Sequence, residues 1–249
     1  MIKIERGEPP KNTVLDKKRD EELREIRKLA KSGELNSKHF KNLWSDPEVK
    51  DFLYESQYGK CCYCERKRDK RETDVEHFRP KAEVTEAGED HQGYWWLAYS
   101  WENLLIACKT CNQQYKKSKF PLKNEEKRIY TENYDLGKEE PFLINPLEED
   151  PEHFIDYDCG LKKTRLMVKA IGKCKRSQET VNELTGINDR KVMEERADKL
   201  KDYRIWAYLK NNEKNELRSK ADERLQKYVS LYSEFSGFAK FYFKKEGCL

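Results

Sequence analysis

The chain has 249 residues, 36% hydrophobic and 39% charged, and its 51 basic and 47 acidic side chains leave a formal net charge of +4. No run approaches the ~20 apolar residues that a membrane helix needs, and so small a charge excess does not by itself point to nucleic acid. With 5 Trp, 14 Tyr and 10 Phe, large rings can fill a core that is short of aliphatic residues, so the chain is expected to fold rather than stay disordered. The length suits one large domain, or a small catalytic module with helical additions. The opening MIKIERGEPPKN has no apolar segment of the kind a signal peptide carries. A cytosolic protein follows as the expectation, with reduced thiols that are free to hold metal.

Residues 1–59 read as a helical region. Leu23, Ile26 and Ala30 keep helical spacing within a charged run, and Asp46-Pro47 starts a second helix with Asp as N-cap and Pro at the first helical position. Val49, Phe52 and Leu53 supply its apolar face, and Gly59 ends it. Residues 60–124 differ: short aromatic and β-branched segments sit among cysteine pairs, and 82–93 reads as an exposed loop. From 125 to 249, PFLINP (141–146) and HFIDYD (153–158) read as short extended pieces, with a turn at Gly160, and helices dominate from Lys173. Met193, Ala197, Leu200 and Ala207 mark one helix face. Leu225, Tyr228, Val229, Tyr232 and Phe235 mark a last long helix. Gly237 then interrupts it before an aromatic tail, Phe238, Phe241, Tyr242 and Phe243, expected to be exposed and to offer a partner contact.

Four of the eight cysteines form two C-x-x-C pairs, Cys61 with Cys64 and Cys108 with Cys111. Each pair can turn two thiolates toward one point, and two such turns complete a tetrahedral zinc site with Zn–S near ~2.3 Å. With all four positions filled the zinc is structural. Such sites are worth about 10–16 kcal/mol in peptides, ample to hold a loop-rich module. Cys62, Cys159, Cys174 and Cys248 are read as non-ligating.

Between the pairs lies Asp74-Val75-Glu76-His77-Phe78-Arg79-Pro80-Lys81, and further on Trp101-Glu102-Asn103-Leu104-Leu105 and Cys111-Asn112. Phosphodiester hydrolysis needs a base for water and a divalent cation for the charge that grows on phosphate and the leaving oxygen. His77 suits the base, since imidazole titrates near neutrality. Glu76 and Asn112 offer hard oxygens, suited to Mg²⁺ or Mn²⁺. Asn103 is placed to bond the imidazole or its loop, and it could equally cap a local turn. Lys109, Lys116, Lys117, Lys119 and Lys123 run without an acid among them, a local phosphate-binding patch hidden by the net charge. Arg66, Lys67, Arg68, Lys70 and Arg71 read as a solvated turn with phosphate contacts. Tyr94, Trp95, Trp96, Tyr99 and Trp101 read as a packed cluster rather than a base-stacking platform. His39, His91 and His153 read as structural or exposed.

These residues resemble the HNH endonucleases. The resemblance implies an α+β, mostly α fold with a zinc-braced ββα-metal core between helical flanks. It implies His77 as general base, Glu76 as acidic metal ligand, Asn103 as the middle Asn that orients the base and Asn112 as the last metal ligand, an H-N-N variant. Glu stands where Asp is more usual, so either Glu76 or Asp74 is the carboxylate that meets the metal. Cys-Cys-Tyr-Cys-Glu, Glu-His-Phe-Arg-Pro-Lys, Trp-Glu-Asn-Leu-Leu and Cys-Lys-Thr-Cys-Asn, with Asn145-Pro146 and residues 180–188, are similar to the nuclease subunit of Septu-type antiphage defence, which also occurs beside some retrons. That likeness implies DNA cleavage to 5′-phosphate and 3′-hydroxyl ends, and an ABC/SMC-like ATPase partner. Two alternatives stay open at this stage: an RNA-directed HNH nuclease, and a zinc knuckle that grips nucleic acid or protein without cutting.

Overall fold

The computed structural model describes residues 1–88, 91–159 and 167–249. Helix α1 (Val14–Ser32) opens on Thr13, whose side chain accepts from the Asp16 N–H, and closes on Gly33 at φ +75°, a left-handed cap that favours glycine. Helix α2 (Pro47–Ser56) starts as the Asp46-Pro47 pair predicts, with the Asp46 side chain accepting from the Glu48 N–H. It stops at Ser56 rather than Gly59. Tyr58 and Gly59, both at positive φ, then swing the chain into the first cysteine pair.

Strands β1 (Thr73–His77) and β2 (Leu104–Cys108) form an antiparallel hairpin, in register from Thr73 opposite Cys108 to His77 opposite Leu104. Side chains alternate along a strand, so Asp74 and Glu76 share one face of β1 while Val75 and His77 share the other. Val75, Leu104 and Ile106 pack into a core with Ile26, Trp44, Val49 and Leu53 from the N-terminal helices. Leu105 and Ala107 belong to a second core with the cysteine turns, Phe120, Leu143, Leu200 and Tyr203. Strand β2 is therefore buried on both faces, which is why it reads as an unbroken apolar run instead of an alternating one. A π-helical turn, Thr110–Lys116, follows β2 directly and completes the ββα unit. The fold is α+β, with helical flanks on both sides of this small unit, as expected.

The C-terminal part holds a second hairpin, β3 (Ile155–Asp158) paired with β4 (Lys169–Gly172). The predicted HFIDYD segment is a strand over its last four residues; β4 has no counterpart in the sequence reading, and the turn assigned to Gly160 lies outside the described residues. Helices α3 (Lys175–Glu179), α4 (Arg190–Asn212), α5 (Asn215–Val229) and α6 (Ser236–Lys245) follow. No helix among the described residues is long and apolar enough to cross a membrane.

Three local expectations are corrected. The last stripe is not one helix: α5 ends at Val229, Tyr232 is exposed, and Phe235 at φ +56° turns the chain into α6. The aromatic tail is core rather than a docking surface. Phe238, Tyr242 and Phe243 are buried, and the Phe238 and Phe243 rings lie 5.4 and 5.1 Å from Tyr203. Gly237 permits this packing, since a Cβ there would come within 2.8 Å of a Glu65 carboxylate oxygen. The segment 82–93 is a loop, but its described residues are not exposed throughout: Glu83, Thr85 and Glu86 face solvent, whereas Val84 and His91 are buried and the Thr85 N–H bonds the Ser118 carbonyl.

Candidate metal centre and active-site cleft

The first cysteine pair sits in a tight turn. The Cys61 N–H bonds the Arg66 carbonyl, the Glu65 N–H bonds the Cys61 carbonyl, and Glu65 takes φ +61° to close the loop. The second pair spans the junction of β2 and the π-helical turn, with Cys108 ending the strand and Cys111 in the first helical residues. All four thiols are buried, and their Sγ atoms lie within 4.8 Å of one another. The Sγ atoms of Cys64 and Cys108 are 3.8 Å apart, matching the ~3.8 Å edge of a tetrahedron with ~2.3 Å Zn–S bonds. A zinc held by four thiolates carries net negative charge. Arg196 is fully buried, bonds the Val168 carbonyl and lies within electrostatic reach of Cys64 and Cys111. A cation so placed would offset that charge, so both geometry and charge fit a four-cysteine metal site. Cys62 is buried too, but it stands outside the group.

On the far side of β1, His77 is fixed from two directions. Its Nε2 stands 2.9 Å from the Ala98 carbonyl. A carbonyl only accepts, so Nε2 carries the proton and Nδ1 keeps its lone pair. The Trp44 ring meets the imidazole edge-on at 4.8 Å. Burial, followed by the charge of Lys81, pushes the imidazole pKa down to about 3, so the ring is neutral at physiological pH. Asn103 makes no hydrogen bond to it. The Asn103 amide instead bonds the backbone on either side of the next turn: its Oδ1 accepts from the Arg79 N–H at 2.7 Å, and its Nδ2 donates to the Arg79 and Leu97 carbonyls. Of the roles left open for Asn103, the loop is the one its contacts match.

Glu76 faces the cysteine side. The Tyr63 hydroxyl donates to its Oε1 at 3.0 Å, and the Lys116 ammonium lies 3.2 Å from the same oxygen. Burial pushes the carboxyl pKa up, while Lys116 and Tyr63 hold it back. Asn112 donates to Asp74 Oδ2 at 3.1 Å, and Gln113 reaches that oxygen at 2.9 Å. The π-helical turn thus sends Asn112 toward Asp74 and Lys116 toward Glu76. His77, Glu76 and Asn112 all line one cleft of about 290 Å³, together with Trp44, Lys81 and Lys117; Asp74 does not line it. Larger hollows lie elsewhere, including one of about 780 Å³ beside Arg79 and Arg176. That hollow contains none of these three residues, so chemistry and not size singles out the smaller cleft.

Two charge readings are corrected. The lysine run is not one surface patch: Lys116 is wholly buried against Glu76, Lys119 donates to the Glu183 carbonyl, and Lys123 pairs with Glu140. Nor is the 66–71 segment wholly solvated, since Arg66 is buried and ion-paired with Glu195. The aromatic cluster behaves as expected: Tyr94, Trp95, Tyr99 and Trp101 are buried.

The chain aligns over 93% of its length, at 29% identity, with the Septu protein PtuB of Bacillus mycoides, and the match covers 82% of that protein. The chain is a relative of a PtuB-type Septu protein. No family model matches it, and no solved structure does. Against this Septu relationship, several contributors to the cleft stand out as absent from the sequence reading. Tyr63 and Lys81 sit inside motifs that were singled out, Cys-Cys-Tyr-Cys and Glu-His-Phe-Arg-Pro-Lys, so a signal for them existed. Trp44 and the Ala98 carbonyl come from segments with no motif, and only the fold brings them to His77.

Proposed function

We propose that the protein is a metal-dependent HNH endonuclease that hydrolyses phosphodiester bonds of nucleic acid, DNA ahead of RNA, as the effector subunit of an antiphage defence complex. The observation that carries this reading is the convergence of His77, Glu76 and Asn112 on one cleft, beside a four-cysteine site that leaves no ligand position open for chemistry.

In this reading His77 Nδ1 takes the proton of a water that attacks phosphorus, and the Ala98 carbonyl holds Nε2–H so that the imidazolium is oriented and stabilised as it forms. Asn103 acts through the backbone, keeping the turn after His77 in place. Glu76, through the oxygen not bound by Tyr63 and Lys116, would hold Mg²⁺ or Mn²⁺ together with Asn112. That ion supplies charge stabilisation at the scissile phosphate and the leaving 3′-oxygen. The Septu relationship supports a place in a defence system, and the family resemblance implies an ABC/SMC-like ATPase that gates or positions the nuclease. The test is cleavage of supercoiled plasmid with Mg²⁺ or Mn²⁺. Wild type is expected to nick and linearise it, and His77→Ala to leave it intact with unchanged zinc content and circular dichroism. Cleavage by the His77→Ala protein would overturn the assignment.

A further inference from the structure

Lysines withdrawn from solvent around the hairpin have partners. Lys116 meets Glu76, Lys60 donates to Ser236 and the Ser233 carbonyl, and Lys50 donates to the Thr73 carbonyl. Lys81 differs. It is half-buried, and its Nζ lies 4.7 Å from the Trp44 ring centroid and 5.7 Å from that of Phe40. Among the described residues no carboxylate or carbonyl accepts from it. Aromatic faces attract an ammonium group but leave its three N–H donors to be filled from the open side. That side is the cleft. Of the acids that line the cleft, Glu83 accepts from the Ser118 hydroxyl at 2.8 Å, and Glu76, one oxygen of which is taken by Tyr63 and Lys116, lies within electrostatic reach of Lys81 without a hydrogen bond to it.

We infer that Lys81 is the phosphate-holding cation of this cleft, donating from Nζ to a non-bridging oxygen of the phosphodiester. The inference rests on the nuclease reading for its substrate, while the anion site itself rests on Lys81 and its surroundings. A cation partly stripped of water binds an anion more strongly than a solvated surface lysine does. Placement agrees with the chemistry. One indole, Trp44, touches both the imidazole and the ammonium group, so a phosphate on Lys81 lies next to the base that would activate its attacking water. Pro80 restricts the backbone just before Lys81, and its carbonyl is tied to the Tyr94 N–H at 2.7 Å, which fixes the root of the side chain.

Two measurements separate this inference from the nuclease reading. Inorganic phosphate titrated into the intact protein and followed by ³¹P line broadening is expected to bind saturably to wild type, His77→Ala and Lys81→Arg, and at least about tenfold more weakly to Lys81→Gln. Equal affinity in Lys81→Gln, or no saturable binding to wild type, overturns the assignment of Lys81. In plasmid cleavage, Lys81→Ala is expected to lose about a hundredfold in kcat, with zinc content unchanged and plasmid affinity altered only a few-fold. Added propylammonium, but not an equal concentration of NaCl, should restore part of the rate, a response that a merely structural lysine would not give. Cleavage by Lys81→Ala at the wild-type rate also overturns it. If the isolated wild type does not cut, as a nuclease gated by its ATPase partner would not, the phosphate titration alone decides Lys81.

Discussion

The two faces of the β1–β2 hairpin are built from different materials. On the cysteine face, Asp74 and Glu76 lie among thiols, the Lys116 ammonium, a phenol and amides. On the opposite face, Val75 and His77 lie among rings and aliphatic side chains of the N-terminal helices. Adjacent residues of one motif are thereby delivered to opposite surroundings by nothing more than strand alternation. The two surroundings act differently on charge: burial pushes the Glu76 carboxyl pKa up while the Lys116 cation and the Tyr63 donor hold it back, and burial pushes the His77 imidazole down.

Emptying or disrupting the four-cysteine site should affect this contrast most. A zinc held by four thiolates is worth about 10–16 kcal/mol, comparable to the ~5–15 kcal/mol stability of a whole domain. Chelation, or the Cys64→Ser/Cys111→Ser double variant, is expected to unfold the cysteine side, seen as loss of hydrogen-exchange protection at Cys62 and in the hairpin. Protection in α1 and α2 should fall less. A soluble double variant with full protection and full activity would rule out a structural zinc. Next in size is Trp44→Ala, which removes the ring against which His77 packs and should lower stability by about 3–5 kcal/mol in urea titration while zinc stays stoichiometric. Loss of zinc from that variant would mean that the two faces are not separable. Smallest is Tyr63→Phe, which keeps the ring but removes one donor to Glu76. It should cost about 1.5–3 kcal/mol, as for a hydrogen bond to a charged group, and a cycle with Glu76→Gln should show the two changes to be coupled.

Much of the cysteine side was legible in the sequence, because a group of thiols able to hold a metal shows as paired C-x-x-C spacing without any knowledge of the fold. The Asp46-Pro47 helix start was legible for a similar reason: capping is local, and its donors lie within three residues. The charge of Lys116 was not, since a lysine run looks the same whether one member turns inward or all are solvated; its inward turn depends on Glu76, far earlier in the chain. The aromatic tail after Gly237 looked exposed because its partner Tyr203 lies on a different helix. The sequence motifs named the ββα unit and its flanking helices, and the alternation of Ile155 and Tyr157 with two acids marked β3; β4 went unread because its burial runs against residue size, with Ala170 and Gly172 inside and Ile171 exposed. For the cleft, three residues that line it, His77, Glu76 and Asn112, could be named in advance, and Ser37 and Trp44 in its wall could not.

The seating of Trp44 against both His77 and Lys81 makes the proposed active centre non-transplantable. Every residue assigned a chemical role falls within 61–112, a stretch that could be mistaken for a self-sufficient cassette. One wall of the cleft, however, is Ser37 and Trp44, from a region that precedes the cassette and carries no motif. Grafting 61–112 onto another scaffold would deliver the base and the carboxylate to an open surface, where water solvates both. By the same logic, a substitution at Phe40 or Trp44 of this chain would alter the proposed active centre as directly as one within the motif, although a motif comparison would score the site as intact.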